Sequence, residues 1–440
     1  MVDTLAIFEA TARNDIRSLR RTITSLKRGR GSGLKDLLTS ALDRLEEQVE
    51  EFAQSHSDVL SQDMDPELRE QLVRVISRRF ERLQGPLEVL YETLGLYSKS
   101  IDQSEVPVGL QHVVDGLVRD ILDGNGDPMI HLDPIDMYST IDLVAYVDEQ
   151  FIAWKSPSVD AQYDGPRPIV FNLPALDPSN ALLSPLIAHE VSHTAVDRTL
   201  MAELERRCGA ETQNLLEERL SAASAVGESA SADDWAFLFR RWCEELICDV
   251  IALALTGPSF LYAFSCYAPP TNVAVVNTHP PLRDRLSFHL RVLDQLGWTD
   301  VLTSTGAATY AWWQEIADEQ LRVGSERERF LFDAIALVEE ALISVSVAHV
   351  SRPLRAETMS EIAGTVDHFR AGVPNIETAG GALDTWQVVL AGWVAALLER
   401  GDAPTSLLAA MDDPGYSRLL IKALEMSSIV SKWKEYSSAG

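Results

Sequence analysis

Basic residues are scarce in this chain of 440 residues. Its 38 lysines and arginines stand against 66 aspartates and glutamates, which gives a formal net charge of −28 at pH 7. Such an excess of negative charge repels phosphate backbones, so a general nucleic-acid-binding function is excluded. The same charge favours solubility.

Cysteine is scarce as well, with four residues at positions 208, 243, 248 and 266 and no C-x-x-C spacing among them. This pattern offers neither a disulfide framework nor the paired thiolates of a cysteine-ligated zinc site. We expect the four cysteines to be small core residues of a reduced protein.

Long hydrophobic runs are also missing, although a membrane-spanning helix needs about 20 apolar residues. Asp249 and Gly257-Pro258 interrupt the apolar stretch at 246–268, and the stretch at 386–398 is too short. The first residues enter an amphipathic pattern instead of a signal peptide. We therefore expect no membrane span and a cytoplasmic location.

Helical periodicity dominates the two ends of the chain and predicts a mainly α fold of the α+β type. Residues 34–52 and 65–97 carry apolar side chains at three- and four-residue steps. The same pattern recurs near the C-terminus at 308–319, 326–348, 356–371, 383–400 and 416–434. Residues 140–147 and 168–172 are short, β-branched segments that predict a small sheet. We divide the chain into a helical region at 1–104, a central region at 105–298 and a helical region at 299–440.

The segment His189-Glu190-Val191-Ser192-His193 is the most informative part of the central region. Two histidines four residues apart share one face of a helix, so both imidazoles can reach one metal ion. Glu190, on the neighbouring edge of that face, is placed to act as a general base towards water. Ser184-Pro185 predicts the start of this helix, with the serine as its cap. The alternative is a pair of helical histidines with no role in metal binding.

A third metal ligand is expected from the apolar segment 244–253, in which Glu245 and Asp249 lie four residues apart. One of them can bind the metal while the other accepts a hydrogen bond from the far nitrogen of a ligating histidine. Asp197, four residues after His193, is a rival third ligand. We rank it behind Glu245 because its neighbours are more polar.

A third element follows at Thr278-His279-Pro280-Pro281, after which a helix is expected to begin near Leu282 and to carry Arg283 and Arg285. The two prolines hold the imidazole of His279 outside a helix. A histidine or arginine beside a zinc ion can stabilise the oxyanion of a tetrahedral intermediate.

These three elements, in this order, resemble the M48 family of gluzincin metallopeptidases, which includes heat-shock HtpX-like proteases and CAAX prenyl proteases. The resemblance covers about residues 165–290. The matching residues are His189, Glu190, His193, Glu245, Asp249, Thr278, His279, Pro280, Pro281, Arg285 and Leu286. Cys248 stands where the family commonly has alanine, and the missing membrane span means that membrane or prenylated substrates are not carried over.

The resemblance implies a zincin-like catalytic domain at 105–298 that binds Zn²⁺ through His189, His193 and Glu245. It further implies that Asp249 orients His189 and that His279 or Arg285 contacts the substrate or the transition state. The expected function is a metallopeptidase acting on a protein or peptide, with the 168–172 strand at a sheet edge for substrate pairing. The alternatives are a helical scaffold with a structural or vestigial zinc site and a zinc amidohydrolase acting on a small molecule. No oligomeric state is indicated.

Overall fold

The helical character of the chain is confirmed in a computed structural model, which is mainly α with small β-sheets. The structure describes residues 2–25, 32–101, 106–122, 124, 126–133, 139–153, 158–160, 163, 167–174, 180–225, 232–267, 279–320, 326–401, 407, 409–410 and 413–438. Among these residues, no helix combines the length and the apolar character needed to cross a bilayer.

The first half of the chain contains the helices α1 to α8 and the strands β1 to β3. The helices are α1 Val2–Ser25, α2 Ser32–Ser61, α3 Pro66–Glu81, α4 Gln84–Ile101, α5 Val108–Ile121, α6 Leu143–Ala153, α7 Ser184–Ala195 and α8 Met201–Ala225. The strands are β1 Gly126–Asp133, β2 Ser139–Asp142 and β3 Arg167–Pro174.

The second half contains ten further helices and one two-stranded hairpin in its described residues. The helices are α9 Ala232–Thr256, α10 Pro258–Tyr267, α11 Leu282–Gln295, α12 Thr299–Thr305, α13 Ala307–Gln320, α14 Glu326–Ala336, α15 Glu339–His349, α16 Thr358–Arg370, α17 Thr385–Arg400 and α18 Pro414–Ser438. The hairpin pairs β4 Glu377–Thr378 with β5 Gly381–Ala382 in antiparallel register.

Contacts divide the chain into two compact units. Unit 1 comprises residues 1–104, 125–133 and 140–173, and unit 2 comprises residues 105–124, 134–139 and 174–440. The predicted boundaries after residues 104 and 298 stay predictions.

Unit 1 packs its helices and a three-stranded sheet around one apolar core. Fully buried members of this core come from α1, α2, α6 and β3, among them Leu19, Leu42, Phe151 and Val170. The strand order in the sheet is β1-β3-β2, so β3 is the central strand. The predicted edge role of residues 168–172 was therefore wrong, because both sides of this strand are already paired.

The predicted strand at 140–147 was also largely wrong, because only its first residues belong to β2 and α6 begins at Leu143. The side chain of Asp142 explains the change. Its Oδ1 accepts hydrogen bonds from the backbone N–H groups of Val144 at 3.0 Å and Ala145 at 3.3 Å. Such contacts satisfy the first free donors of a helix and favour a helix over a continued strand.

Unit 2 is built around α9, which packs against α7, α8, α10, α11, α14, α15 and α17. Every residue from Leu246 to Thr256 is buried, as expected of a helix that is surrounded on all sides. At the end of α9, Gly257 has a φ of 59°, and a Cβ at this position would lie 2.9 Å from the ring of Trp298. Glycine is therefore needed for the tight turn into α10.

The helix α7 carries the H-E-x-x-H segment and has Pro185 in its first turn, as predicted. The predicted serine cap was wrong. A short 3-10 turn at Ala181–Leu183 precedes the helix, and the hydroxyl of Ser184 donates to the carbonyl of Ala181 at 2.7 Å. Most of α7 is buried, and a π-helical turn at Val196–Leu200 connects it to α8.

Candidate metal centre

Three side chains from α7 and α9 bring their ligand atoms together inside unit 2. His189 and His193 contribute from α7, and Glu245 contributes from α9. The Nε2 atoms of the two histidines are 3.3 Å apart. Oxygens of Glu245 lie 3.5 Å from His189 Nε2 and 3.7 Å from His193 Nε2. All three ligand atoms are within 4.8 Å of one another, so the group could hold a metal ion.

These separations fit a small tetrahedral ion. Two ligands that bind zinc at about 2.0–2.1 Å with a tetrahedral angle lie roughly 3.3–3.4 Å apart. The two imidazole nitrogens are separated by 3.3 Å, and each has one oxygen of Glu245 within 3.7 Å. The distances from Glu245 to the two imidazoles are also longer than good N–H···O hydrogen bonds, which cluster near 2.9–3.0 Å. A donor set of imidazole nitrogens and a carboxylate oxygen suits zinc and other divalent transition metals.

Asp249 lies one helical turn after Glu245 on α9 and is completely buried. Its Oδ1 is 2.9 Å from His189 Nδ1 and accepts a hydrogen bond from Arg285 Nη2 at 2.6 Å. Its Oδ2 accepts from Arg285 Nε at 2.8 Å and is 2.8 Å from His289 Nε2. The two carboxylate oxygens therefore face four nitrogen atoms, two on each oxygen.

Arg285 is held inside the cluster. Its guanidinium makes the two bonds to Asp249 and lies 3.5 Å from Glu245 Oε2, with the side chain only 8% exposed. The guanidinium also stands 4.9 Å from the ring centre of Phe264, a cation–π distance. The predicted site residue Arg285 thus lies beside the cluster, and its guanidinium contacts the carboxylates of Asp249 and Glu245 on α9.

His279 lies before α11 and is more accessible. Its Nε2 is 3.2 Å from Glu245 Oε1, and its side chain is 47% exposed. Thr278 and the side chain of Asp197 lie outside the described residues, so the rival role of Asp197 stays a prediction. Glu244, adjacent to Glu245, is directed elsewhere and pairs with Arg240 and Arg241.

The electrostatic environment shifts the pKa values of the two histidines of the cluster in opposite directions. Burial lowers the pKa of His189, but the neighbouring carboxylates of Asp249 and Glu245 together outweigh burial and raise it to about 10. Burial and the neighbouring charge of His189 lower the pKa of His193 to about 4. One imidazole therefore carries a proton between two carboxylates, and the other stays neutral.

The pKa values of the three carboxyl groups, Glu190, Glu245 and Asp249, are also shifted in different directions. Burial raises the pKa of Glu190, and the nearby charge of Glu245 raises it further. Burial opposes ionisation of Glu245, but the neighbouring imidazoles of His189 and His279 and the charge of Arg285 hold its pKa far below the usual value. Burial also opposes ionisation of Asp249, but the charge of Arg285 and the contacts with His289 and His189 together outweigh burial and depress its pKa. Glu190 is thus the carboxyl group of the cluster whose proton affinity is increased.

The sequence patterns did not single out His289 on α11. Its imidazole is completely buried, and it contacts the rings of Phe260 at 5.5 Å and Phe264 at 5.0 Å between centroids. Phe260 also stacks on His189, with 6.1 Å between ring centroids. The signal in the sequence was the four-residue spacing from Arg285, which places both residues on one face of a helix.

Comparisons of this chain with protein-family models, with curated proteins and with solved structures found no match.

Proposed function

We propose that this chain is a zinc-dependent metallopeptidase of the gluzincin type, similar to M48 peptidases. The observation that carries the proposal is the convergence of His189, His193 and Glu245 at tetrahedral spacing, with Glu190 next to His189 on the same helix. Zinc held by these three residues would act as a Lewis acid that polarises a carbonyl group and lowers the pKa of water towards about 7.

Glu190 is the general base in this proposal. Its raised pKa brings its proton affinity closer to neutral pH, where a group both accepts and returns a proton efficiently. Glu190 accepts a proton from the water that attacks the peptide carbonyl, and it delivers that proton to the nitrogen of the leaving amine. The C–N bond breaks, and the products are a carboxylic acid and an amine.

The carboxylate of Asp249 orients His189 in this scheme. It holds the proton on Nδ1 of the imidazole and leaves Nε2 free to bind zinc. Because Arg285 is engaged with Asp249 and is almost inaccessible, we assign it to positioning that carboxylate. Oxyanion stabilisation then falls to His279, whose imidazole is accessible and contacts Glu245.

Peptide hydrolysis by zinc-loaded wild-type protein and by the Glu190→Gln variant tests the proposal, with a mixed library of fluorescence-quenched peptides as the substrate. Glu190→Gln should lose cleavage by at least about 100-fold, the lower range for a general base, and should keep its zinc. Glu244→Gln is the matched control, since it changes a buried glutamate that pairs with arginines outside the cluster. It should retain activity.

Three outcomes would contradict parts of this proposal. Equal cleavage by wild type and Glu190→Gln removes Glu190 as the base. Zinc binding without hydrolysis of any peptide in the library favours a structural zinc site in a helical scaffold. Hydrolysis restricted to small amides, with peptides untouched, favours an amidohydrolase.

A further inference from the structure

One helix, α11, supplies three of the four nitrogen atoms that contact the Asp249 carboxylate, from two residues four positions apart. Arg285 occupies one position on each oxygen of the carboxylate, and His289 takes the second position on Oδ2. His189 takes the second position on Oδ1. An ionised carboxylate offers about four acceptor sites, and the three nitrogen atoms from α11 approach three of them while His189 Nδ1 lies 2.9 Å from Oδ1.

We infer that His289 is a positioning residue of the metal centre: its hydrogen bond to Asp249 Oδ2 holds the carboxylate in the rotation that keeps Oδ1 on His189 Nδ1. This inference rests on the proposed zinc site and adds to it a contact beyond the ligands. The Asp249 carboxylate can rotate about its Cβ–Cγ bond, and that torsion has only broad preferences of its own. Arg285 donates once to each oxygen, and the second contact on Oδ2, from His289 Nε2 at 2.8 Å, restricts the carboxylate further on the side opposite to His189.

The state of the His289 ring supports this role. Nε2 must carry the proton to donate to Asp249, which leaves Nδ1 without one in the neutral ring. Nδ1 is buried and has no hydrogen-bond partner within the described part of the chain. An imidazole with one buried nitrogen unpaired is less favourable than an apolar ring of similar shape in the same aromatic pocket. The donor at Nε2 is therefore the property that distinguishes histidine from phenylalanine at this position.

Substitutions at position 289 with side chains of different length can test this role in the full-length protein. Glutamine places its amide nitrogen near the position of histidine Nε2, whereas the shorter asparagine places it near Nδ1. His289→Gln should thus keep the donor to Asp249, and His289→Asn should lose it. His289→Phe keeps the ring that packs against Phe260 and Phe264 but has no donor.

The primary measurement is zinc affinity, obtained by competition with a chromophoric chelator at fixed pH. Loss of a partner in the outer hydrogen-bond shell of a metal site costs about 10- to 100-fold in affinity. We expect a loss of roughly 10-fold in His289→Phe and His289→Asn, and a value within about 3-fold of wild type in His289→Gln. The visible spectrum of the cobalt-substituted protein should shift in the first two variants and stay unchanged in the third.

A control separates positioning from general stability. His349, on α15, donates a hydrogen bond from Nε2 to the carbonyl of Ile121 at 2.7 Å and lies outside the metal cluster. His349→Phe should lower the melting temperature and leave zinc affinity unchanged. If His289→Phe does not fold, as judged by circular dichroism, the Gln and Asn pair carries the test.

The outcomes for His289 and for the zinc site are distinguishable. Wild-type zinc affinity in all three His289 variants overturns the positioning role while the zinc site stands. An equal loss in the Gln and Asn variants also overturns it, because the donor would then not matter. Failure of the wild-type protein to bind zinc overturns the zinc site, and the inference with it.

Discussion

Replacing Arg285 with methionine should destabilise the metal-free protein by about 3–5 kcal/mol, the range for breaking a buried ion pair from one side. Arg285 makes two bonds of 2.8 and 2.6 Å to a carboxylate that is 0% exposed, and it also neighbours Glu245. Methionine fills a similar volume without the charge. The variant would leave two buried carboxylates with less compensation, and that is the source of the expected cost.

Arg291 provides a matched control on the same helix. It also binds a carboxylate with two bonds, at 2.9 and 2.8 Å to Glu339, but its side chain is 47% exposed. Solvent screens that pair, so Arg291→Met should cost about 1 kcal/mol or less. The free energy of unfolding should be measured in urea on chelator-treated protein, following the transition of unit 2.

A double variant measures how much of the cost comes from the Asp249 carboxylate that has lost its ion-pair partner. Asp249→Asn in the Arg285→Met background should be less destabilised than the sum of the two single variants, because the uncompensated carboxylate is then absent. The reasoning is refuted if Arg285→Met costs no more than Arg291→Met, or if the double variant equals the sum of the single ones.

Three further predictions concern packing, metal removal and pH. A Cβ on Gly392 would lie 2.6 Å from a leucine side chain of α18, so Gly392→Ala should destabilise the protein by about 1–3 kcal/mol. A Cβ on Gly364 would have no other atom within 4 Å, so Gly364→Ala should stabilise the protein by roughly 0.5–1 kcal/mol in the same thermal unfolding assay. Zinc at 100 times its dissociation constant should stabilise the wild type by about 2.7 kcal/mol and should leave His189→Ala unchanged, with chelator reversing the gain in a melting experiment. Burial raises the pKa of Asp148, but hydrogen bonds from residues 158–160 outweigh burial and lower the pKa overall. The ionised Asp148 therefore stabilises the folded protein above the unfolded pKa of 3.8, and this stabilisation is lost as the pH falls through the lower pKa of the folded state. Asp148→Asn should therefore cost about 1 kcal/mol at pH 7 and less at pH 3, and an equal cost at both pH values would contradict the assignment.

The local geometry of the candidate site was largely accessible from the sequence, because helical spacing fixes which side chains share a face. His189 and His193 are four apart on α7, and Glu245 and Asp249 are four apart on α9, so each pair projects together once the helix is recognised. The burial of Asp249 followed from its apolar neighbours. The approach of α7 to α9 was expected because a catalytic zinc site needs a third ligand, and the resemblance implied the same pairing. The structure places the ligand atoms of the two helices within 4.8 Å of one another.

The remaining features depend on contacts between distant parts of the chain. His289 meets Asp249 only because α11 packs on α9, 40 residues along the chain, and no local pattern encodes that approach. The central position of β3 depends on its pairing with β1, which begins with Gly126-Asp127-Pro128 and does not have the alternating pattern of a strand. At Asp142, helix capping outweighed the β propensity of the following residues.

The zinc content of the purified protein tests the central claim most directly. Protein prepared without chelator and dialysed against zinc-free buffer should retain one zinc per chain by elemental analysis. His189→Ala should lose that zinc, whereas His279→Ala should keep it, because His279 is not part of the three-residue ligand group. Wild-type protein without stoichiometric zinc, or His189→Ala with an unchanged zinc content, would contradict the assignment of the metal centre.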